Sequence, residues 1–563
     1  MKLRNLFLSA MALCSLGLFA QTHTQGIEYY KADQFNNAKE LLNRNLNNPG
    51  TDKALSYYYL GQIEMRKGNV SAASKYFNDG IAADAENPYN YVGLGYIDLK
   101  NGDAKGAEKY FKEAESRAKK DQSVMVEIAR AYYNADPVGN KAIYEKRIAN
   151  ALKKDSKNPD IYIFEGDVLR DDAYANNNSK SYGSAAAKYD MATSYDPTSA
   201  VAYVKYADMY MNAQNPGYAI IKLEELINNN PSSALGQREL ANAYYENNQY
   251  DKAALQYGNY VKNPNHFKED EDRYSFILFA DGKYQQAYDY ATSLLQQNPD
   301  NFTAMRYQFM NAAQIESLQG NILPLAEKLL AAHKANPDNK FAAIDYTLIA
   351  EELDRDKRPE DAIALLQEAI SVMPSNSNFD KQLALLYIDS GDYDKAADAY
   401  AGFIAKTANP GYNEFTQQAL YAYFAGLLNK EGITDKNTGE VLRPQDAAAA
   451  QKYFGMAADY SNKAAQAAPN VYKPHKILGD LAIAQAADAD VAKAAQPEYE
   501  IAYGLLVANP DPRYNSDAKV IYNYLGNYYL DQKDVAKAKE FFNKYLELDP
   551  DNAEYRKFVD NLK

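Results

Sequence analysis

The chain repeats itself at a step of 34 residues, and that step constrains its fold more than any other feature. Leu60-Gly61, Ala73 and Phe77 return as Leu94-Gly95, Ala107 and Phe111. Tyr203, Ala207, Tyr210, Ala219 and Leu223 are answered by Gln237, Ala241, Tyr244, Ala253 and Tyr257. Leu525-Gly526, Tyr529, Ala538, Phe542 and Pro550 close the chain in the same register. Within each unit, Leu, the small residue after it and the Tyr three further on share one helical face. An Ala and the aromatic four later form the matching stripe of a second helix, and a Pro ends it. One such hairpin cannot bury its apolar face alone, so copies must stack.

This spacing resembles the tetratricopeptide repeat (TPR), whose pattern runs aromatic, Leu-Gly, Tyr, Ala-x3-Phe, Pro. The resemblance covers most of the chain from residue 26 to 550. It implies an all-α fold, a right-handed α-α superhelix (TPR solenoid) of about 13–14 helix hairpins with a C-terminal capping helix. The units divide into an N-terminal array (21–264), a middle array (265–411), expanded units with an inserted loop (412–510), and a last regular unit with its cap (511–563). Gly61, Gly95 and Gly526 are expected where the paired helix comes close. Unit five carries about seven extra residues, expected as an exposed loop at Asn176-Asn177-Asn178-Ser179. Unit twelve holds a turn-rich insertion from Gly432 to Pro444, followed by an Ala-rich helix. The tail after Asn552 places Tyr555 and Val559 on one face, as a solubilising cap requires.

Residues 1–20 read as a secretory signal: Lys2 and Arg4, an apolar run from Leu6 to Phe19, and Ala20 before Gln21. Cleavage after Ala20 is expected, with export to the periplasm or the periplasmic side of the outer membrane. The one cysteine, Cys14, lies inside that segment, and a lipid-anchor reading is weakened by Leu13 before it. No later segment reads as a membrane span.

The chain is acidic, 61 Lys plus Arg against 75 Asp plus Glu, a formal charge of −14. General nucleic-acid binding needs basic patches, so it is disfavoured. Trp is absent and Tyr numbers 51, so Tyr fills the aromatic sites of the repeat. No phosphate loop, HExxH or GxSxG motif occurs, and the four His are never at ligand spacing. Gly93-Leu94-Gly95 lies inside a repeat helix and opens no strand–helix turn. No catalytic residue, metal or cofactor is therefore expected.

In the families the chain resembles, ligands lie along the first helix of each hairpin, at repeat positions two, five, nine, twelve and thirteen. Carried onto the most regular units, those positions include Tyr58 and Arg66, Tyr96 and Lys100, and Arg238, Asn242 and Tyr245. Arg238 and Asn242 sit four apart on one face, resembling half of a carboxylate clamp. Arg273 stands where the other half would want Asn. The resemblance implies a non-enzymatic scaffold that binds protein or peptide partners of an envelope complex. A second expectation, of another class, is a carbohydrate or peptidoglycan-binding accessory protein with a Tyr-rich groove. The sequence leaves the oligomeric state open.

Overall fold

The computed structural model describes residues 22–435, 438–487 and 490–562. The expected signal segment and Cys14 lie outside the described residues. Between Asn311 and Ala312 the chain divides into two compact units. The first holds α1 (Thr22–Lys31), α2 (Phe35–Asn45), α3 (Lys53–Arg66), α4 (Val70–Ala83), α5 (Tyr89–Lys100), α6 (Ala104–Ala118), α7 (Gln122–Ala135), α8 (Lys141–Lys154), α9 (Pro159–Asn176), α10 (Ser179–Tyr195), α11 (Ala200–Asn212), α12 (Pro216–Asn229), α13 (Ala234–Glu246), α14 (Tyr250–Tyr260), α15 (Glu269–Ala280), α16 (Tyr284–Gln297) and most of α17 (Phe302–Ala312). The second holds α18 (Ile322–Ala335), α19 (Ala343–Arg355), α20 (Pro359–Val372), α21 (Ser377–Asp389), α22 (Tyr393–Lys406), α23 (Tyr412–Glu431), β1 (Ile433–Thr434), β2 (Val441–Arg443), α24 (Ala447–Ala467), α25 (Lys473–Gln485), α26 (Val491–Ala494), α27 (Gln496–Ala508), α28 (Asn515–Asp531), α29 (Val535–Leu548) and α30 (Ala553–Asp560). Consecutive helices pair as hairpins, and the hairpins stack as the repeat requires.

Where the small residue of a first helix is Gly, it meets a large side chain of its own second helix, an aromatic in most hairpins and Leu42 opposite Gly26. A Cβ on Gly61 would lie 2.3 Å from the Phe77 ring, on Gly95 2.5 Å from Phe111, and on Gly526 2.3 Å from Phe542. Expanded units keep the contact although the spacing changes: Gly166 meets Tyr189, Gly426 meets Phe454 and Gly479 meets Tyr499. Gly93 has its own duty, since a Cβ there would lie 2.4 Å from Phe77. Phe77 is thus clasped between Gly61 of its own hairpin and Gly93 of the next, which accounts for Gly93-Leu94-Gly95 as packing.

The turn from first to second helix needs a left-handed residue. Glycine supplies it at Gly68, Gly102, Gly282 and Gly391, and a side chain tolerates it at Asp33, Gln214, Asn248, Lys357 and Lys533. Asp and Asn adopt this conformation more readily than Lys or Gln.

Unit five departs from the expected loop. Asn176 ends α9 and Ser179 begins α10, so only Asn177 and Asn178 connect them. The extra residues lengthen both helices, to 18 and 17 residues. Asn177 takes the left-handed C-cap, and the Asn178 side chain accepts from the Lys180 and Ser181 amides. Unit twelve keeps its insertion. α23 and α24 reach 20 and 21 residues, joined by the antiparallel pair β1 and β2. Arg443 of β2 is fastened to Asp394 and Asn429, 2.5 and 3.0 Å away. The cap packs through Val559, 4% exposed, and through Tyr555 stacked on Tyr545.

Candidate binding surface

The inner face of a hairpin stack is formed by the first helices, and in the first unit that face is occupied. α1 packs against α11 and α13, far along the chain. The turn after α1 carries the inserting groups. Asp33 receives Lys205 at 2.8 Å and Arg170 at 3.0 Å. Lys31 donates to Asp160 at 2.8 Å. Gln34 donates to Glu239 at 2.8 Å and accepts from Arg238 at 3.3 Å. The Ala234 amide donates to Gln25 at 3.2 Å, and Tyr29 meets Phe267 edge-on at 5.2 Å.

Beneath this closure lies a charged core. Asp167 accepts from Lys205 and Arg130, each at 2.8 Å, and from the Tyr189 hydroxyl at 3.0 Å. The Lys205 side chain is 2% exposed. Burial alone would raise the Asp167 carboxyl, but the Lys205 and Arg130 charges hold it well below the usual range. Glu127 accepts from the Tyr58 hydroxyl at 2.8 Å and pairs with Arg130 at 3.4 Å.

Two carboxyls at the same closure move the other way. Burial raises Glu28 to about 7, with Asp196 adding to the rise and Lys31 opposing it. Burial raises Asp208 to about 7, with Glu239 and Asp33 adding and Lys205 and Arg170 opposing. A raised carboxyl binds more protons folded than unfolded, so its stabilisation is full at low pH and is lost as pH rises towards 7. His23, lowered by burial, works in the opposite sense. Two carboxyls outweigh one imidazole, so the first unit is expected to melt higher at pH 5.5 than at pH 8. Asp208→Asn should flatten that difference, as read by thermal melts across the range.

The closure relocates several residues expected on an open groove. Tyr58 and Tyr96 are core residues, 0% and 6% exposed, because neighbouring first helices and the inserted hairpin cover them. Arg238 does grip a carboxylate, that of Asp270 in its own chain, at 2.7 Å. Asn242 is half-buried, and its Oδ1 has no hydrogen-bond partner among the described residues. Tyr245 packs between Tyr250 and Phe276, with the Arg273 guanidinium 5.7 Å from its ring centre. Lys100 is exposed at the end of α5. Arg66 and Arg238, distant in sequence, share one open cleft of about 600 Å3 with Asp33, Gln34, Phe35, Asn36, Asn37 and Lys67.

In the second unit the equivalent first-helix positions stay open. Glu351 and Asp354 of α19 and Gln382, Leu385 and Asp389 of α21 line a cleft of about 260 Å3. Leu385 is 47% exposed, and Ile344 on α19 is 43% exposed. A second cleft, of about 360 Å3, is lined by Val520, Asn523, Asn527, Tyr528 and Asp531 of α28 and by Ile483, Val491 and Ala492. Counted from the Gly or Ala at position eight, Ile344 and Val520 stand at repeat position two, Asn523 at five, Glu351, Leu385 and Asn527 at nine, Asp354 at twelve, and Asp389 and Asp531 at thirteen. These positions are open surface here, in repeats whose first-helix residues are not among those expected from the sequence to bind. Among the described residues no cluster of three or more His, Cys, Asp or Glu suits a metal, and no helix is long and apolar enough to cross a membrane.

Tetratricopeptide-repeat family models match residues 204–266, 355–418 and 520–552. No curated protein matches the sequence. Similar solved structures include the C-terminal part of a TPR repeat-containing protein from Cytophaga hutchinsonii, at 18% identity, covering 52% of this chain and 99% of that one, with a TM-score of 0.38. Yeast Tom70 is 15% identical, with 90% of this chain and 99% of that one covered and a TM-score of 0.28. The P58(IPK) TPR domain is 14% identical over 65% of this chain and 98% of that one, with a TM-score of 0.24. At such identities and scores nothing about function follows from them.

Proposed function

We propose that this chain, which carries tetratricopeptide repeats over the matched residues, is a non-enzymatic scaffold binding protein or peptide partners through the inner face of its second unit. The observation that carries this reading is the contrast between two inner faces. One is filled by the chain's own first hairpin, and the other leaves Ile344, Leu385 and Val520 between 43 and 48% exposed. Carboxylates surround the apolar positions at Glu351, Asp354 and Asp389, and no ion pair engages these three among the described residues. A partner segment combining apolar side chains with Lys or Arg complements that surface. Affinity from such a face concentrates in a few anchors. Leu385→Asp places a charge at the cleft and should weaken partner recovery from envelope extracts about tenfold, roughly 1.4 kcal/mol. Undiminished recovery with an intact fold would remove the second unit's face from the reading.

The envelope setting is part of the proposal and rests on the charged, apolar and small-residue succession of residues 1–20. The native protein is expected to begin at or near Gln21. Intact-mass spectrometry that finds Met1 retained, or diacylglycerol on Cys14, would refute export by this route. A second reading draws on the α28 cleft, where Tyr528 lies beside Asn523 and Asn527, a composition that suits sugar hydroxyls. Calorimetric titration with peptidoglycan fragments tests it, and an absence of heat at millimolar ligand would dispose of it.

A further inference from the structure

The cleft at the closure of the first unit has a chemistry opposite to that of the second unit's face. Arg66 lays its guanidinium over the Phe35 ring, 4.4 Å from its centre. Its flat face is thereby used, one part of its N–H edge engages the Tyr30 hydroxyl, and the remaining N–H groups are left for an acceptor in the plane. Neither Arg66 nor Lys67 makes an ion pair among the described residues, and both are exposed. The cations around them are committed: Arg238 to Asp270, Lys39 to Glu64, and Lys205 and Arg170 to Asp33. Asn36 and Asn37 bring amide groups to the same cleft, and Phe35 an apolar wall. The cleft exists only because the turn of the first hairpin is lodged beside α3 and α13.

We propose that this cleft binds a short acidic peptide segment, one carboxylate taken by Arg66 and Lys67 and the peptide backbone met by Asn36 and Asn37. Charge complementarity selects the ligand, and the surroundings select its length. A volume of about 600 Å3 admits a few residues. The formal −14 of the whole chain repels an extended polyanion such as nucleic acid. This inference rests on the scaffold reading and adds a second contact of opposite sign, on a different unit.

The test uses the full chain and fluorescein-labelled peptides of six residues, one rich in Glu, one with Gln at the same positions and one with Lys. Anisotropy should report binding of the Glu peptide alone, weakened at least tenfold by Arg66→Ala, less by Lys67→Ala, and markedly between 50 and 300 mM salt, about the range over which screening lengths halve. Arg66→Lys should recover only part of the affinity, because the stacked, forked geometry is lost. Arg66→Ala must retain the wild-type melt. Equal binding of the Gln peptide, or Glu-peptide binding untouched by Arg66→Ala in a folded variant, overturns the inference. Displacement by millimolar inorganic phosphate as effective as by the unlabelled peptide would make this a free-anion site and also overturn it. Partner recovery that still depends on Leu385 would then leave the scaffold reading standing. Recovery indifferent to Leu385 while the Glu peptide binds would reject that reading and keep the cleft.

Discussion

Replacing Lys205 by Met is expected to destabilise the first unit by about 3–5 kcal/mol, the cost of removing one partner from a buried charge group. The Met fills the space of the aliphatic stem, so the loss isolates the charge. Lys205 stands between Asp33 of the inserted turn and Asp167 of α9, 2.8 Å from each, and its side chain is 2% exposed. Without it the two carboxylates face each other, with Arg130 and Arg170 as the remaining compensation. Adding Asp33→Asn should restore part of the loss, because the two changes share a partner. Hydrogen exchange read separately over residues 22–311 and 312–562 measures this without assuming one cooperative transition. Unchanged protection in the first unit would mean that the closure contributes nothing to its stability.

Gly61→Leu should cost the same unit about 1–3 kcal/mol by overpacking, since even a Cβ at Gly61 meets the Phe77 ring at 2.3 Å. Gly68 is the control. It has φ +77° and nothing within 4 Å of a Cβ, so Gly68→Ala tests backbone strain alone, about 1 kcal/mol. Phe77→Ala should mask most of the additional effect of Gly61→Leu and leave that of Gly68→Ala unaltered. A neutral Gly61→Leu variant would mean the hairpin register is wrong.

The hairpins were legible because their determinants are local. The Gly61–Phe77, Gly95–Phe111 and Gly526–Phe542 contacts each span 16 residues, and the motif prints them directly. Unit five differs from the expectation for a physical reason. Seven extra residues can extend two helices as well as loop out, and the capping chemistry of Asn177 and Asn178 decided for helix. The closure of the first unit left no local trace. Asp33 and Lys205 are 172 residues apart, Gln34 and Glu239 205 apart, and none of these side chains departs from ordinary repeat composition. Repeat spacing alone therefore sets Tyr58 and Tyr96 on an open groove, whereas the packed hairpins bury them. The same repeat positions line open clefts in the second unit, at Leu385 and Asp389 and at Val520, Asn523 and Asn527.

The central claim is that partners meet the second unit's inner face while the first unit's is spent on its own closure. One comparison tests it most directly: partner recovery from envelope extracts by the wild type, by Leu385→Asp with Val520→Asp, and by Arg238→Ala with Asn242→Ala and Tyr245→Ala, each with its exchange profile. The second-unit pair is expected to lose recovery tenfold or more with protection intact. The first-unit triple is expected to lose protection over residues 22–311, because Arg238 holds Asp270 and Gln34. Full recovery by the second-unit pair, with recovery abolished by a triple variant that remains fully protected, would contradict the claim and place the partner on the first unit.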